Sequence, residues 1–315
     1  MPHDPPPRPT PPAAPGKKRP RTRLDAAVLA AGLAPSRERA RALIMAGTVR
    51  VAGRLVDKPG TLVAPDAAIA LAGPSPELRY ASRGGLKLER ALDDFALDPA
   101  ALVALDVGAS TGGFTDVLLT RGAARVYAVD VGRGQLDWRL RSDPRVVVLE
   151  RTNIRHLAAL PEPVACVVID VSFISLRLVL PAVARLAAAG AWVVALVKPQ
   201  FEAGRAEADR GAGVIADPEV HRSVLHGLGA WLAGWNAAGE RPIVPRGLIP
   251  SPITGRDGNR EYLLELRIAP ADVPVSVPVS VPVSPLDSAL DSALDSAAIE
   301  RAVSGAFAAR AATHT

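Results

Sequence analysis

Four side chains in this sequence have the types and placement to move a proton: Lys87, Asp170, Lys198 and Glu261. Lysine is scarce here, with Lys17, Lys18, Lys58, Lys87 and Lys198 set against 32 arginines. A lysine kept inside a folded segment of so arginine-biased a chain invites a chemical reason, because a buried amine can lose its proton and a guanidinium practically cannot. Lys198 follows the apolar run 193–197 and Asp170 follows the run 167–169, so each is expected at the carboxyl end of a strand. Glu261 starts the last strand-like segment. If that strand runs antiparallel, its start shares the same edge. A Lys-Asp-Lys-Glu tetrad suits a poor nucleophile such as a ribose hydroxyl, which needs a base in contact in the transition state. Lys198, made less basic by Lys87 and by desolvation, is the candidate base, and Asp170 would orient its amine or the hydroxyl itself. Lys87 and Glu261 would hold the charges and the sugar in line. Two unrelated surface ion pairs are the plain alternative.

A second constellation lies upstream, in Asp106-Val107-Gly108-Ala109-Ser110-Thr111-Gly112-Gly113-Phe114. Glycines let a backbone turn sharply and approach a ligand closely. Asp130 ends the next strand-like segment, where a carboxylate can accept bonds from ribose hydroxyls. A dinucleotide enzyme would use the same architecture, but its Gly-x-Gly-x-x-Gly fingerprint is broken by Ser110. An acidic residue before the first glycine favours S-adenosylmethionine, whose amino-acid end is cationic. A glycine-rich turn with no ligand is the remaining reading.

These residues need a scaffold that gathers strand ends. Strand patterns at 102–107, 125–130, 146–149, 164–170, 191–197 and 243–249, with 261–267 closing the sheet, alternate with helical patterns at 113–121, 175–188 and 218–233. Such alternation predicts an α/β fold with a largely parallel sheet covered on both faces. Ligands on such sheets bind at the carboxyl ends of the strands.

Ahead of this, a smaller unit reads helix, turn, helix and short strands. Thr22 and Asp25 give a helix-start signal before Leu24, Val28 and Leu29, and Ser36 can cap a second helix whose Ala40, Leu43 and Ile44 share a face. Gly47 ends that helix, and Gly53 fits a turn between strand segments 49–51 and 55–56. Arg37 and Arg41 are one helical turn apart, with Arg39 beside them and Arg50 and Arg54 following. Arginines on a helix can sit against the phosphates of structured RNA, or they can be ordinary surface charge.

Composition limits the other options. The 315 residues suffice for a large domain and a small one. Residues 1–23 hold six basic side chains and one acidic one, which accounts for the whole formal charge of +5; the rest balances. The run Lys17-Lys18-Arg19-Pro20-Arg21-Thr22-Arg23 is a solvated arm or a weak nucleic-acid tether. The apolar run 191–197 is far short of a bilayer span, no export signal is evident, and Cys166 is alone, which fits a reducing cytoplasm. His3, His156, His221, His226 and His314 fall in no metal-ligand spacing. The expected layout is a Pro-rich basic arm at 1–21, a small domain at 22–78, a large domain at 79–269 and a low-complexity tail at 270–315. In that tail Val-Pro-Val-Ser and Leu-Asp-Ser-Ala repeat, and the second repeat supports at most a weak helix.

The residues also carry a resemblance. Arg23-Leu24-Asp25, Ser36-Arg37, Ala40, Leu43-Ile44, Gly47 and Val49 resemble the S4 RNA-binding domain, an α+β fold that recurs in RNA-modifying enzymes. The likeness marks Arg23, Arg37, Arg41 and Arg50 as expected RNA contacts. Ser82-Arg83-Gly84-Gly85-Leu86-Lys87-Leu88 resembles the opening of the FtsJ-type RNA ribose methyltransferases, apart from two glycines where that family has two alanines. In those enzymes the four tetrad positions are catalytic. Arg151-Thr152-Asn153, Asp170-Val171-Ser172-Phe173-Ile174-Ser175-Leu176, Lys198-Pro199-Gln200-Phe201-Glu202-Ala203-Gly204 and Gly258-Asn259-Arg260-Glu261 narrow the likeness to the TlyA family. The resemblance implies a Rossmann-like methyltransferase sheet behind an S4-like domain, S-adenosylmethionine as cofactor, and 2′-O-methylation of cytidine in ribosomal RNA within subunits. Asp106, Gly108, Ser110, Gly112, Gly113, Phe114 and Asp130 would hold the cofactor, with Asn153 near its adenine. Relatives of this kind carry haemolysin names, so a membrane-active protein is one competing class. A non-catalytic RNA-binding assembly factor is the other. The first requires an amphipathic or spanning segment and the second a damaged tetrad; neither is seen in the sequence.

Overall fold

A computed structural model describes residues 21–45, 47–71, 79–204, 211, 213–255, 258–270 and 294–308. The expectations for the arm up to residue 20, for the stretch 73–76 and for the repeats through residue 293 lie outside these residues.

The small domain packs helices α1 (Leu24–Ala30) and α2 (Arg37–Met45) against short strands β1 (Thr22–Arg23), β2 (Val49–Val51), β3 (Arg54–Leu55), β4 (Leu62–Val63) and β5 (Ile69–Leu71). Leu24, Val28, Ala40, Ile44 and Val49 form its core. Ser36 caps α2 as expected, its Oγ accepting the Arg39 amide at 3.1 Å. The start of α1 differs from the expected capping signal. Thr22 and Arg23 pair with Val63 and Leu62 as a strand, Arg23 occupies the cap position but makes no capping hydrogen bond, and Asp25 turns towards arginines instead. The strand partners of this segment, Leu62 and Val63, lie far along the chain and are not visible in its local pattern.

In the large domain α3 (Gly85–Asp94) precedes β6 (Val103–Val107), α4 (Gly113–Thr120), β7 (Arg125–Val129), α5 (Trp138–Arg141) and β8 (Val146–Leu149). The chain continues through β9 (Val164–Ile169), α6 (Leu176–Leu186), β10 (Ala187–Val197), α7 (Pro199–Glu202), α8 (Pro218–Ala237), β11 (Ile243–Pro250) and β12 (Tyr262–Ile268), and α9 (Ser296–Ala308) follows. Seven strands form one sheet in the order β11-β12-β10-β9-β6-β7-β8. β12 runs antiparallel to both its neighbours and the other pairs are parallel. The last strand therefore sits inside the sheet, between β10 and β11.

Side chains alternate across the sheet, as a period of two requires. Leu105, Val107, Val167, Ile169, Val193, Ala195 and Val197 face α6, α8 and α9, whereas Ala104, Cys166, Val168, Val194 and Leu196 face α3 and α4. Strand order reverses between β6 and β9: the chain leaves β6 towards β7 and β8, then returns to the other side. A crevice opens at such a switch point, beyond the carboxyl ends of the strands. Two departures matter. β10 begins at Ala187, inside the segment read as helix. From the last Leu-Asp-Ser-Ala unit onward, within the expected tail, α9 is a helix of 13 residues. Ile299, Ala302 and Val303, spaced three and four apart, are buried with α8 and β11. The repeat pattern hid this apolar stripe, and Leu294 of the last repeat unit joins the same core.

Candidate active site

The tetrad converges on one cleft at the switch point, lined by Lys87, Asp170, Lys198 and Glu261 together with the loop after β6. Strand register explains the gathering. Ala195 pairs with Ile169 and Val197 with Tyr262, so Asp170, Lys198 and Glu261 are the next residues out on a common edge. Lys87 reaches them from the first turn of α3, which still begins at Gly85. The Lys87 Nζ donates to Glu261 Oε2 at 2.5 Å, and Lys198 Nζ lies 2.5 Å from Asp170 Oδ1. Lys198 Nζ also donates to Ser172 Oγ at 3.0 Å. Lys87, Lys198 and Glu261 are at most 8% exposed. Surface ion pairs are worth roughly 0–1 kcal/mol. A buried pair is different: removing one partner strands the other and costs roughly 3–5 kcal/mol. Lys87–Glu261 is such a buried pair, whereas Lys198 is buried but its partner Asp170 is a quarter exposed and opens onto the cleft.

Gly255 completes the Glu261 wall. A Cβ there would stand 2.1 Å from Glu261 Oε1, so only glycine leaves the carboxylate where Lys87 meets it. Nothing in the sequence spacing singled out Gly255 or Ser172.

The loop after β6 forms the other half of the cleft. Gly108 has φ +86°, and a Cβ on it would lie 2.4 Å from the Asp170 carbonyl oxygen, so the loop and the tetrad segment pack backbone to backbone. Ser110 is also left-handed, at φ +49°. Its amide donates to Asp130 Oδ2 at 2.9 Å, the Gly132 amide donates to Asp130 Oδ1 at 2.6 Å, and Ser110 Oγ donates to Gln135 Oε1 at 3.3 Å. Asp130 thus folds the loop while lining the cleft. Gly112 caps α4 and Gly113 is its first residue; Phe114 is 3% exposed and spans the cleft wall and the core. Asn153 also lines the cleft and caps a short 3-10 turn at Ile154–His156, with Oδ1 accepting the Arg155 amide at 3.1 Å.

Asp106 lies one layer behind this lining and is fully buried. Thr115 Oγ1 donates to its Oδ2 at 2.6 Å, while Oδ1 has no hydrogen-bond partner among the described residues. Burial pushes the Asp106 carboxyl up to about 7; the Thr115 bond opposes this, and the nearby Asp170 and Asp130 charges add to it. An unsatisfied carboxylate oxygen beneath a glycine loop provides the negative field that a cationic amino-acid group would complete. Thr115 was missed from sequence, where only its place as a polar residue in an apolar helix marked it.

The four arginines expected at RNA divide. Arg23, Arg37 and Arg41 surround Asp25, whereas Arg50 Nη1 donates to the Gly53 carbonyl and braces the β2–β3 turn. The two domains also touch: Arg83 pairs with Asp57 at 2.6 Å and Arg39 with Asp137 at 3.5 Å.

Among the described residues no helix is long and apolar enough to cross a membrane. Residues 80–268 match the FtsJ-like methyltransferase family and residues 22–69 match the S4 domain. The chain is 49% identical over 251 residues to the 16S/23S rRNA (cytidine-2′-O)-methyltransferase TlyA of Mycobacterium tuberculosis, spanning 78% of this chain and 90% of that one. It is 36% identical over 244 residues to Hemolysin A of Brachyspira hyodysenteriae, covering 76% and 98% of the two chains. A solved structure of a hemolysin-named protein from Streptococcus thermophilus is 39% identical and superposes with a TM-score of 0.65, covering 93% of this chain and 98% of that one.

Proposed function

Because the chain belongs to the FtsJ-like methyltransferase family and carries an S4 domain ahead of that fold, we propose that it methylates the ribose 2′-hydroxyl of a cytidine in ribosomal RNA. The observation that carries this reading is the meeting of two Lys–carboxylate pairs, one buried and one opening onto the cleft, with the glycine loop. Relatives named for the same reaction, at 49% identity over nine-tenths of their length, support the choice of substrate.

S-adenosylmethionine is the cofactor this reading assigns; when bound it supplies an electrophilic methyl group on a sulfonium. The loop from Gly108 to Phe114 would hold its amino-acid end over the Asp106 charge, Asp130 its ribose hydroxyls and Asn153 its adenine. Lys198 takes the proton of the 2′-hydroxyl, and Asp170 and Ser172 fix the amine towards that oxygen. Lys87, held by Glu261, presents a positive charge to the oxygen as it becomes anionic. Such placement lowers the barrier through orientation and fixed charge, because charges held in place need no rearrangement as the reaction proceeds. Proton transfer to a positioned base typically contributes ~10²–10⁴-fold. The small domain docks the enzyme on ribosomal RNA in the cytoplasm.

The test is methyl transfer from labelled S-adenosylmethionine to purified small and large ribosomal subunits that lack the modification, followed by mapping of 2′-O-methyl groups. Label on a cytidine ribose is expected. No label on either subunit, with cofactor binding intact, would favour an RNA-binding assembly factor and sink the enzymatic reading.

A further inference from the structure

We propose that Asp25 is a positioning residue for RNA: a buried carboxylate that holds the guanidinium groups of Arg23, Arg37 and Arg41 as one preset phosphate-binding fan. The proposal rests on the reading above that the small domain docks on RNA. Arg23 donates from Nε to Asp25 Oδ1 at 3.1 Å and from Nη2 to Oδ2 at 3.1 Å. Arg37 donates from Nε to Oδ2 at 3.2 Å and from Nη2 to Oδ1 at 3.3 Å. Arg41 Nε is 3.5 Å from Oδ2, and the Ala26 amide donates to Oδ1 at 2.9 Å. The Asp25 side chain is 0% exposed, while those of the three arginines are 44%, 54% and 55% exposed.

The carboxylate is thus saturated by protein donors and hidden from solvent, so it acts on a ligand only through the arginines. A guanidinium carries five N–H donors. Arg23 and Arg37 each spend one Nε–Nη edge inward, which leaves three donors apiece on their exposed side. One negative charge among three positive ones leaves a local excess of two, fixed in orientation. Arginine rotamers held this way lose less freedom when phosphate binds than free surface arginines would. Burial pushes the Asp25 carboxyl up, but the bonds and charges of Arg23 and Arg37 outweigh that and hold it at about 2. The carboxylate therefore stays charged wherever RNA binding would be measured. A bare count of charge makes Asp25 a hindrance to RNA binding, and positioning makes it a requirement; the two accounts predict opposite signs.

The experiment uses the full chain and purified unmodified ribosomal subunits as the probe, with affinity measured between 50 and 200 mM salt. Asp25→Asn adds one positive charge in nearly the same shape. Positioning predicts at least fivefold weaker binding and a slope of log K against log salt shallower by about one, as one phosphate contact is lost. S-adenosylmethionine affinity should not change. Equal or tighter binding with an unchanged slope overturns the proposal. Should Asp25→Asn unfold the small domain, the Arg23→Lys/Arg37→Lys double variant keeps every charge and Asp25 but removes the fork. The same loss with an unaltered melting temperature supports positioning, and wild-type affinity and slope overturn it. If the wild-type chain binds cofactor but no subunit, the RNA reading falls and this proposal with it.

Discussion

The amine of Lys87 meets the carboxylate of Glu261 at 2.5 Å across 174 residues of chain. One comes from the first turn of α3, ahead of the sheet, and the other from the start of β12, the antiparallel strand set between β10 and β11. The contact ties the first helix of the large domain to its last strand. With its companion, Lys198 on Asp170, it gives the cleft two opposed charge pairs.

Lys198→Ala should reduce methyl transfer by ~10²-fold or more, the scale of a lost general base, with cofactor affinity little changed. Single-turnover methylation and calorimetry with S-adenosylmethionine read the two quantities separately. Retained activity would remove Lys198 from the role of base.

Gly255→Ala tests whether the Glu261 wall matters. The new Cβ would stand 2.1 Å from Glu261 Oε1, so the carboxylate must shift from the position in which it meets Lys87. Methyl transfer should fall as far as it does for Glu261→Gln, in a protein that still folds cooperatively by calorimetry. Unchanged turnover would show that the Lys87–Glu261 pair is only structural.

Asp106 gives the site a pH signature. With its carboxyl near 7, the negative field for a cationic ligand fades as pH falls below that value. S-adenosylmethionine should bind more weakly below pH 7, approaching about tenfold per unit, and Asp106→Asn should flatten the profile. For stability without cofactor the sign is opposite. This folded carboxyl is raised, so its contribution is complete below the unfolded value near 3.8 and is lost as pH rises through about 7. Melting curves of wild type and Asp106→Asn between pH 5 and 8 should therefore converge at the acid end.

Cys166 is fully buried and burial alone pushes its thiol up to about 12. The thiolate is the reactive form. A thiol reagent at pH 8 should leave the folded protein unlabelled and label one thiol per chain in denaturant. Rapid labelling of the native chain would mean that the sheet opens at β9.

Ile299→Ala in α9 should cost about 2–5 kcal/mol, the range for deleting a buried Ile side chain. Ile299 is 0% exposed in the core shared with α8 and β11. Denaturant melts would detect the shift; a change under 0.5 kcal/mol would mean that the helix does not belong to the core.

Much of this was legible in the chain itself. Apolar runs alternating with helical periodicity marked six parallel strands and the antiparallel one, because burial on both faces of a sheet demands continuous apolar segments. The placement of Asp170 and Lys198 just past such runs put them on one edge before any fold was known, and the scarcity of lysine drew attention to Lys87. What could not be read locally were contacts between residues distant in sequence. The strand pairing that displaced the expected cap of α1, the packing of α9, Gly255 against Glu261 and Thr115 on Asp106 all depend on which surfaces meet. The arginines looked alike in sequence, yet Arg23, Arg37 and Arg41 converge on Asp25 while Arg50 braces a turn. Periodicity records which face of an element is apolar. Only the packed structure decides what that face, and each buried charge on it, will touch.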